Sequence, residues 1–341
     1  GYVKETLVSI TIVRELFKLY RRLESQKHRL QVLKFLKSVS MAPKTLDTLQ
    51  SARAMDFLTC VLRESSSSSS SSSLRGNNTS STTATFQPVA EQILPLYENL
   101  CRLSPPRQEE MIISGATSLV LTAARCSPAL RETCAAILSG MPTIRRSSRK
   151  LLLHDGVLQF FLTYADDTTA AQATAYDVIA AWLSDDAPGV EPLLLADANT
   201  RALVQGLAGA TVATVFEYFF DMIATSRRLC AKVAHLRDFY TVFCVCLDRP
   251  RPLAAIMQLK IVRAIVEYAE TGGNTIEDEH NCKNVDDNES LWDTVRSRCN
   301  ESGLRAAIEQ LAAREGQVVV SELAKDVVAR LYSARHQLSW I

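Results

Sequence analysis

Residues 111–116 read Met-Ile-Ile-Ser-Gly-Ala, which is the apolar end of one helix, a glycine and the start of a second apolar run. The same pattern, with Gly or Ala as the small residue of the turn, returns in three other places along the chain. These are Leu49–Ala54 (LQSARA), residues 152–156 (LLHDG) and residues 194–198 (LLADA). A turn that recurs in this form indicates an internally repeated fold.

The distances between these turns give the length of the repeat. Gly115, Gly156 and Ala198 follow one another at nearly equal intervals. Ala54 and Gly115 are separated by the same interval once a polar insert at 65–85 is left out, and a further turn lies near Leu236. The resulting period of about 40–42 residues is typical of armadillo and HEAT repeats, which have two or three helices each.

Helical spacing of apolar residues fills the sequence between the turns. One helix pair cannot cover its own apolar face, so neighbouring repeats stack and bury a continuous core. We therefore predict an all-α, armadillo/HEAT-type right-handed superhelical solenoid of about six to seven repeats. Within a repeat, we expect Gly115 and Gly156 to turn the second helix into the third.

Two polar segments interrupt the helical pattern. Residues 65–85 (SSSSSSSSSLRGNNTSSTTAT) have too little apolar surface to join a core, and residues 271–289 contain six acids against Lys283. Neither segment has the ligand order of a calcium-binding loop. The predicted organisation is N-terminal capping repeats (1–64), a disordered Ser-rich loop (65–85), central armadillo repeats (86–270), an acidic loop (271–289) and a C-terminal capping repeat (290–341).

Composition excludes several functional classes. The 341 residues carry 38 Lys and Arg against 37 Asp and Glu, which disfavours a general nucleic-acid-binding protein. No apolar run reaches the ~18–20 residues that span a bilayer. The nine cysteines lie mostly in apolar runs and lack metal-ligand spacing, as expected for reduced thiols in a cytoplasmic protein.

Catalytic motifs are missing from this sequence. It contains no Gly-rich phosphate loop, no His-Arg-Asp or Asp-Phe-Gly kinase motif, and no Gly-x-Ser-x-Gly elbow. His154-Asp155-Gly156 coincides with a repeat turn and has no neighbouring nucleophile or base. We therefore expect no enzymatic activity, no metal and no cofactor in this part of the polypeptide.

Clustered basic residues suggest a partner-binding surface. Residues 145–150 read RRSSRK at a repeat junction, and Arg227–Arg228 lie at the corresponding junction about two repeats later. Side chains at the same repeat position form a strip along a solenoid, and a basic strip attracts an acidic partner. A solvated surface balanced by nearby acids is the alternative. The predicted partner-binding residues are Arg107, Arg145, Arg146, Arg149, Lys150, Arg227 and Arg228.

Two further surface features are visible in the sequence. Residues 1–44 hold ten Lys and Arg against three Glu. Phe216, Tyr218, Phe219 and Phe220 lie too close together to share one helical stripe, so at least one of them faces outwards. This cluster is expected to belong to the core at a second-helix position, with a hydrophobic anchor for a partner as the alternative.

From residue 88 the chain reads PVAEQILPLYENLCRLSPPRQEEMIISGATSLVLTA, which is similar to an armadillo repeat. Four later stretches agree in order, and these are SSRKLLLHDGVLQFFLTYADD, AYDVIAAWLSDD, SRRLCAKVAHLRDF and GQVVVSELAKDVV. Together they resemble the C-terminal armadillo-repeat region of Ste11-like protein kinases of the septation initiation and mitotic exit networks, whose plant relative is MAP kinase kinase kinase epsilon. The resemblance covers roughly residues 5–335 and is broken by the two polar segments.

This resemblance implies a non-catalytic regulatory region of a cell-division kinase. In that family, the region connects the kinase to an active Ras-like small GTPase and to spindle-pole scaffold proteins. It therefore implies a cytoplasmic fungal protein recruited to the spindle pole body or the division site. Independently of the resemblance, the basic run has no interleaved aromatic residues and the whole chain is not basic, so we expect no nucleic-acid partner.

Two alternatives remain at this point. The solenoid could bind its own kinase domain as an autoinhibitory module, or it could form homodimers. A transport adaptor of the karyopherin type predicts a ladder of Trp and Asn along the groove. Tryptophan occurs only at positions 182, 292 and 340, which disfavours such an adaptor.

Overall fold

The computed structural model describes residues 9–67, 83–141, 145–165, 169–210, 212–248, 251–271, 290–314 and 316–332. Within these ranges the chain forms twenty α-helices and one short 3-10 helix, with no strand. The chain divides into two compact units, Gly1–Phe160 and Phe161–Ile341. No helix in the described ranges is both long enough and apolar enough to cross a membrane.

The first unit contains nine complete helices. They are α1 (Ile10–Arg22), α2 (Gln26–Ser40), α3 (Pro43–Ser51), α4 (Ala54–Ser67), α5 (Thr83–Cys101), α6 (Pro105–Ile113), α7 (Ala116–Cys126), α8 (Pro128–Ser139) and α9 (Arg146–Asp155). The boundary between the two units falls inside α10 (Val157–Tyr164).

The second unit continues with ten further helices. They are α11 (Thr169–Asp185), α12 (Ala187–Leu194), α13 (Asp197–Gly206), α14 (Ala213–Thr225), α15 (Arg227–Ala234), α16 (Arg237–Leu247), α17 (Pro252–Glu270), α18 (Leu291–Glu301), α19 (Leu304–Ala312) and α20 (Val318–Tyr332). The 3-10 helix, Leu207–Gly209, follows α13.

The helices from α3 onwards recur in sets of three, which we number repeats 1 to 6. In each set the first helix is short and the third helix is longer. First helices begin at positions 105, 146, 187 and 227, so successive repeats are about 40 residues long, as in armadillo proteins. These spacings confirm the predicted period and the predicted all-α solenoid. Helices α1 and α2 precede repeat 1 and act as the second and third helices of a repeat 0.

Contacts between repeats follow the same order in each unit. Third helices pack on third helices, α2 on α5 and α5 on α8 in the first unit, and α11, α14, α17 and α20 in series in the second. Second helices do the same, with α4 on α7 in one unit and α13, α16 and α19 in the other. The core between them is aromatic and fully buried at Tyr97, Trp182, Phe216, Phe219 and Phe243. Each such side chain contributes roughly 2–3 kcal/mol through burial.

Local sequence signals set many of the helix starts. Pro43, Pro105 and Pro252 are the first residues of their helices, where a proline loses no backbone hydrogen bond. Ser226 caps α15 by accepting a hydrogen bond from the Leu229 backbone N–H at 3.0 Å. Pro43, Pro105 and Ser226 mark the starts of first helices, whereas Pro252 begins the third helix of repeat 5.

The repeat turns lie between the first and second helices. Gly115, Gly156 and Gly303 take left-handed backbone conformations with φ of 74°, 90° and 77°, and Arg53 occupies the equivalent place in repeat 1 with φ 63°. The expectation that Gly115 and Gly156 turn the second helix into the third was therefore wrong. Recurrent spacing predicts the period correctly, but it does not say which helix comes first in the unit.

The ends of the predicted Ser-rich loop also need correction. Helix α4 continues to Ser67 and α5 begins at Thr83, so both edges of 65–85 are helical. The hydroxyls of Ser65 and Ser66 donate to carbonyls three residues earlier, at 2.8 and 2.7 Å, which lets the serines remain helical. Residues 68–82 lie outside the described residues, as do residues 272–289 of the predicted acidic loop.

Candidate partner-binding surfaces

The predicted basic residues lie at the amino-terminal ends of first helices. Arg107 is the third residue of α6, and residues 145–150 begin α9 in the next repeat. Arg227 and Arg228 open α15 in the second unit. All of these residues thus lie within the first five residues of a first helix or directly before it.

Arg107 is buried and contacts the preceding repeat. Its Nε donates to Gln50 Oε1 at 2.9 Å, and its guanidinium forms an ion pair with Asp47. Gln50 and Asp47 both belong to α3 of the preceding repeat. Only 8% of Arg107 is exposed, so this side chain ties repeat 2 to repeat 1 and offers little surface to a partner.

The basic hexamer divides into buried and exposed residues. Arg149 is 6% exposed, whereas Arg145, Arg146 and Lys150 lie at the surface. The Arg145 guanidinium pairs with Glu109 on α6 at 3.1 Å. The exposed part of the hexamer is therefore the part that another protein can reach.

Arg228 makes the corresponding contact in the second unit. Its guanidinium lies 3.5 Å from Glu191 of α12, and half of its side chain is exposed. The Ser226 hydroxyl also donates to Glu191. Arg227 beside it is exposed.

These contacts define an ion pair that recurs between consecutive first helices. Asp47, Glu109 and Glu191 are each the fifth residue of a first helix, and each accepts an arginine from the following repeat. Lys150 occupies the fifth position in repeat 3, where it is exposed and, among the described residues, forms no ion pair. Sequence reasoning found the cations but missed these acids, although their common position could have identified them.

Two third helices of the second unit, α11 and α14, carry the opposite charge. Asp177 of α11 and Glu217, Tyr218 and Asp221 of α14 form one acidic surface. Partial burial raises the pKa of Asp177, and burial followed by the Glu217 charge raises the pKa of Asp221. The pKa of Tyr218 is raised by burial and then by the three carboxylates around it.

The aromatic cluster of α14 divides between core and surface. Phe216 and Phe219 are fully buried, while Tyr218 and Phe220 are partly exposed. These residues belong to a third helix, so the predicted second-helix position was wrong. The geometry supports the expected core role for two of the four rings.

Net charge differs sharply between the units. Residues 1–160 contain 21 Lys and Arg against 12 Asp and Glu, a balance of +9, and residues 161–341 contain 17 against 25, a balance of −8. The near-zero charge of the whole chain therefore hides two oppositely charged halves. The first unit therefore favours acidic partners, and the second unit favours basic partners.

The described cysteines are free thiols, and several of them are deeply buried. Burial is the first cause that raises the pKa of Cys101, Cys134, Cys230 and Cys299, in each case to about 12. At neutral pH these thiols stay protonated and unreactive. Among the described residues, no group of three His, Cys, Asp or Glu side chains could hold a metal ion.

The chain is similar to proteins that act in cell division. No protein-family model matches it. It is 27% identical over 284 residues to cytokinesis protein sepH of Aspergillus terreus and of Emericella nidulans, which is 81% of this chain and 20% of those proteins. It is 26% identical over 205 residues to cell division control protein 7 of Schizosaccharomyces pombe, which is 60% of this chain and 18% of that protein. The chain thus spans about a fifth of the length of these relatives.

Two solved structures align with most of this chain. An engineered protein from a structural genomics consortium aligns over 94% of this chain and 68% of its own, with a TM-score of 0.54 and 11% identity. A designed armadillo repeat protein in complex with the peptide (KR)4 aligns over 93% of this chain and 99% of its own, with a TM-score of 0.41 and 12% identity. The first likeness agrees with the all-α architecture. The relatives confirm the predicted resemblance at the level of cytokinesis and cell-division proteins.

Proposed function

We propose that this chain is a non-catalytic, protein-binding regulatory region of a septation or mitotic-exit protein kinase. In this proposal it binds an active Ras-like small GTPase, a spindle-pole scaffold protein or both, and so recruits the kinase from the cytoplasm to the spindle pole body or division site. The observation that carries the proposal is the similarity to cytokinesis protein sepH across 81% of the chain. A stacked helical fold, which presents long surfaces to other proteins, supports it.

The basic first-helix ends are the proposed contact surface. Arg145, Arg146 and Lys150 are exposed at the start of α9, and Arg227 and Arg228 are exposed at the start of α15. We assign these five residues to direct contact with an acidic partner. Arg107 and Arg149, which are buried, support the helices that present them.

Isothermal titration calorimetry with the cognate Ras-like GTPase tests the proposal directly. The GTPase is loaded in turn with a non-hydrolysable GTP analogue and with GDP. Binding of the GTP form alone supports an effector role, and equal binding of both forms supports a constitutive scaffold contact. Absence of binding to either form contradicts the GTPase part of the proposal.

A charge-reversal pair of variants tests the surface. Arg145, Arg146 and Lys150 are changed to Glu in one variant, and Lys34, Arg102 and Arg125, which are exposed elsewhere in the first unit, are changed to Glu in the other. Both variants change the net charge by the same amount. Affinity should fall about tenfold or more in the first and only slightly in the second. Equal losses in both variants would show general attraction and no defined contact.

Self-association is a second candidate, and the charge asymmetry favours it. A unit of +9 can attract a unit of −8 on another copy in a head-to-tail contact. Sedimentation equilibrium at low and high salt measures this directly. A dimer that dissociates as salt rises supports the candidate, and a monomer at every concentration and salt excludes it.

A further inference from the structure

Two serines of the basic hexamer at 145–150 have no role in the proposed contact surface. Ser147 and Ser148 lie within the hexamer, directly after its arginine pair. Ser226 stands directly before the corresponding arginine pair of the second unit, Arg227–Arg228. The sequence therefore places three hydroxyls beside paired arginines but does not distinguish one from another.

Burial distinguishes the three serines. Ser148 is 5% and Ser226 is 2% exposed. The Ser226 hydroxyl donates to Glu191 and accepts a hydrogen bond from the Leu229 backbone N–H, so both of its functions are in use. Ser147 is exposed, and within the described residues its hydroxyl forms no hydrogen bond. Ser147 is therefore the one hydroxyl of the three that another protein can reach.

The first turn of α9 lacks the acid that usually stabilises the start of a helix. Its N-cap residue is Arg145, whose side chain provides no capping hydrogen bond, and the turn contains no acidic residue. The amino-terminal end of a helix carries a partial positive charge and favours anions. Arg145, Arg146, Arg149 and Lys150 add further positive charge at this end. A negative charge in this turn is therefore favoured both by the backbone and by the side chains.

The position of Ser147 places an added group among these cations. Ser147 is the second residue of α9 and Lys150 follows three residues later, so the two exposed side chains are neighbours on one face of the helix. Arg146 precedes Ser147, and the Arg145 side chain is 81% exposed although it pairs with Glu109 at 3.1 Å. A phosphate on Ser147 carries a charge of about −1.5 to −2 at neutral pH, which offsets at least half of the charge of the three exposed cations.

We propose that Ser147 is a phosphorylation site for a serine/threonine kinase that selects basic substrates, and that its phosphate closes the basic surface to acidic partners. A kinase with an acidic substrate-binding site recognises the arginines and the lysine around this hydroxyl. The Ser147 Oγ attacks the γ-phosphorus of Mg²⁺-bound ATP held by that kinase. The new O–P bond forms as the bond to the β–γ bridging oxygen breaks, ADP leaves, and the hydroxyl proton passes to the catalytic base of the kinase. The second half of the proposal rests on the contact surface proposed above, and the first half does not.

Phosphopeptide mapping by mass spectrometry tests the modification itself. The full chain is incubated with Mg²⁺-ATP and the catalytic subunit of cyclic-AMP-dependent protein kinase, which serves as the probe for kinases that select basic substrates. Phosphate should appear on Ser147. The change Ser147→Ala should remove it, whereas Ser148→Ala, the matched control at the buried neighbour, should retain it. Phosphate on Ser148 alone, or none within residues 145–150, overturns the assignment. Circular dichroism melting checks that both variants remain folded.

Phosphoserine incorporated at position 147 during translation tests the effect on the basic surface. The probe for an acidic partner is a fluorescein-labelled decaglutamate peptide, whose binding is followed by fluorescence anisotropy at low salt. The phosphate should raise the Kd about threefold to tenfold, because it offsets the charge that attracts the peptide. Phosphoserine at position 118, which is exposed on α7, adds the same charge and should raise the Kd by less than about twofold.

Three outcomes overturn the second half of the proposal. They are a decaglutamate peptide that does not bind the unmodified chain, a Kd that phosphate at position 147 leaves unchanged, and equal increases from both phosphates. Because the probe is decaglutamate, these results do not depend on whether a Ras-like GTPase binds. Amide hydrogen exchange in the first turn of α9 should also slow at least about threefold when position 147 is phosphorylated. Unchanged exchange there contradicts the predicted contact between the phosphate and the helix start.

Discussion

The junction of repeats 1 and 2 and the junction of repeats 4 and 5 use the same residue types at different depths. In each, an arginine near the start of a first helix reaches an acid at the fifth position of the preceding first helix. Arg107 makes this contact while buried and also holds Gln50. Arg228 makes it while half exposed, beside Ser226.

The difference shows that one sequence pattern serves two physical roles. A buried guanidinium cannot lose its partners without leaving polar groups unsatisfied, so its contacts determine how two repeats stack. At the other junction Glu191 is largely buried but the Arg228 guanidinium is half exposed, so water screens the charge of the arginine and the pair contributes less to stability. An arginine in the first turn of a first helix is therefore structural at one junction and available to a partner at the other.

Removal of the buried arginine should have the largest effect. The change Arg107→Ala deletes a buried side chain and its contacts to Asp47 and Gln50. Because Asp47 is 85% exposed and stays solvated, the free energy of unfolding should fall by about 1–3 kcal/mol, mainly through the lost packing and hydrogen bond. Urea denaturation followed by circular dichroism measures it. Arg102→Ala, at an exposed arginine nearby, is the control and should change stability by less than about 0.5 kcal/mol. Similar losses in both variants would contradict a special role for the buried contact.

A substitution in the turn between α6 and α7 of repeat 2 should have the next largest effect on stability. Gly115 has a φ of 74°, and the equivalent turn in repeat 4, at Leu195 and Ala196, has no positive φ. Gly115→Ala should cost about 1 kcal/mol, because a side chain disfavours that backbone conformation. Thermal melting compares it with Gly209→Ala, at a residue outside the left-handed region with nothing within 4 Å of an added Cβ. A neutral Gly115→Ala would show that the turn can rearrange.

Removal of the arginine at the junction of repeats 4 and 5 should lower stability only slightly, and the size of the loss should depend on salt. Arg228→Ala should lower the free energy of unfolding by less than about 1 kcal/mol, and the loss should shrink in high salt because salt screens the pair with Glu191. Urea melts at low and high NaCl concentrations provide the measurement. A loss as large as that of Arg107→Ala would erase the contrast between the two junctions.

The junction of repeats 5 and 6 should contribute to stability in a pH-dependent way, unlike the two arginine junctions. Partial burial and then the charges of Arg298 and Lys232 lower the pKa of His235 below 6.5. The folded chain then binds a proton less readily than the unfolded chain, so this contribution is present above pH 6.5 and is lost as pH falls through the lowered pKa. As pH falls from neutral to mildly acidic, the melting temperature should therefore fall less for His235→Gln than for the unchanged chain. The corresponding difference in the free energy of unfolding should be below about 0.5 kcal/mol. Parallel pH profiles would contradict it.

The repeat period could be read from the sequence, because the same short turn recurs at near-constant spacing. The order of helices within the repeat could not be read from the sequence, because Gly115 indicates a turn but not which two helices the turn joins. Helix α5 illustrates the difficulty, because it is continuous from Thr83 to Cys101 despite Pro88 and Pro95 inside it.

The candidate surfaces were predictable only in part. Basic runs are visible in a sequence, but burial separates Arg107 and Arg149 from Arg145 and Lys150, and burial depends on the neighbouring repeat.

The buried thiols can report on local opening of individual repeats. Cys101, Cys134, Cys230 and Cys299 lie in repeats 1, 2, 5 and 6, one in each. Because a shielded thiol is alkylated only after its surroundings open, the labelling rate at each position measures the local opening of that repeat. Peptide mass spectrometry of the unmodified protein could thus record how far a bound partner tightens one repeat relative to the others.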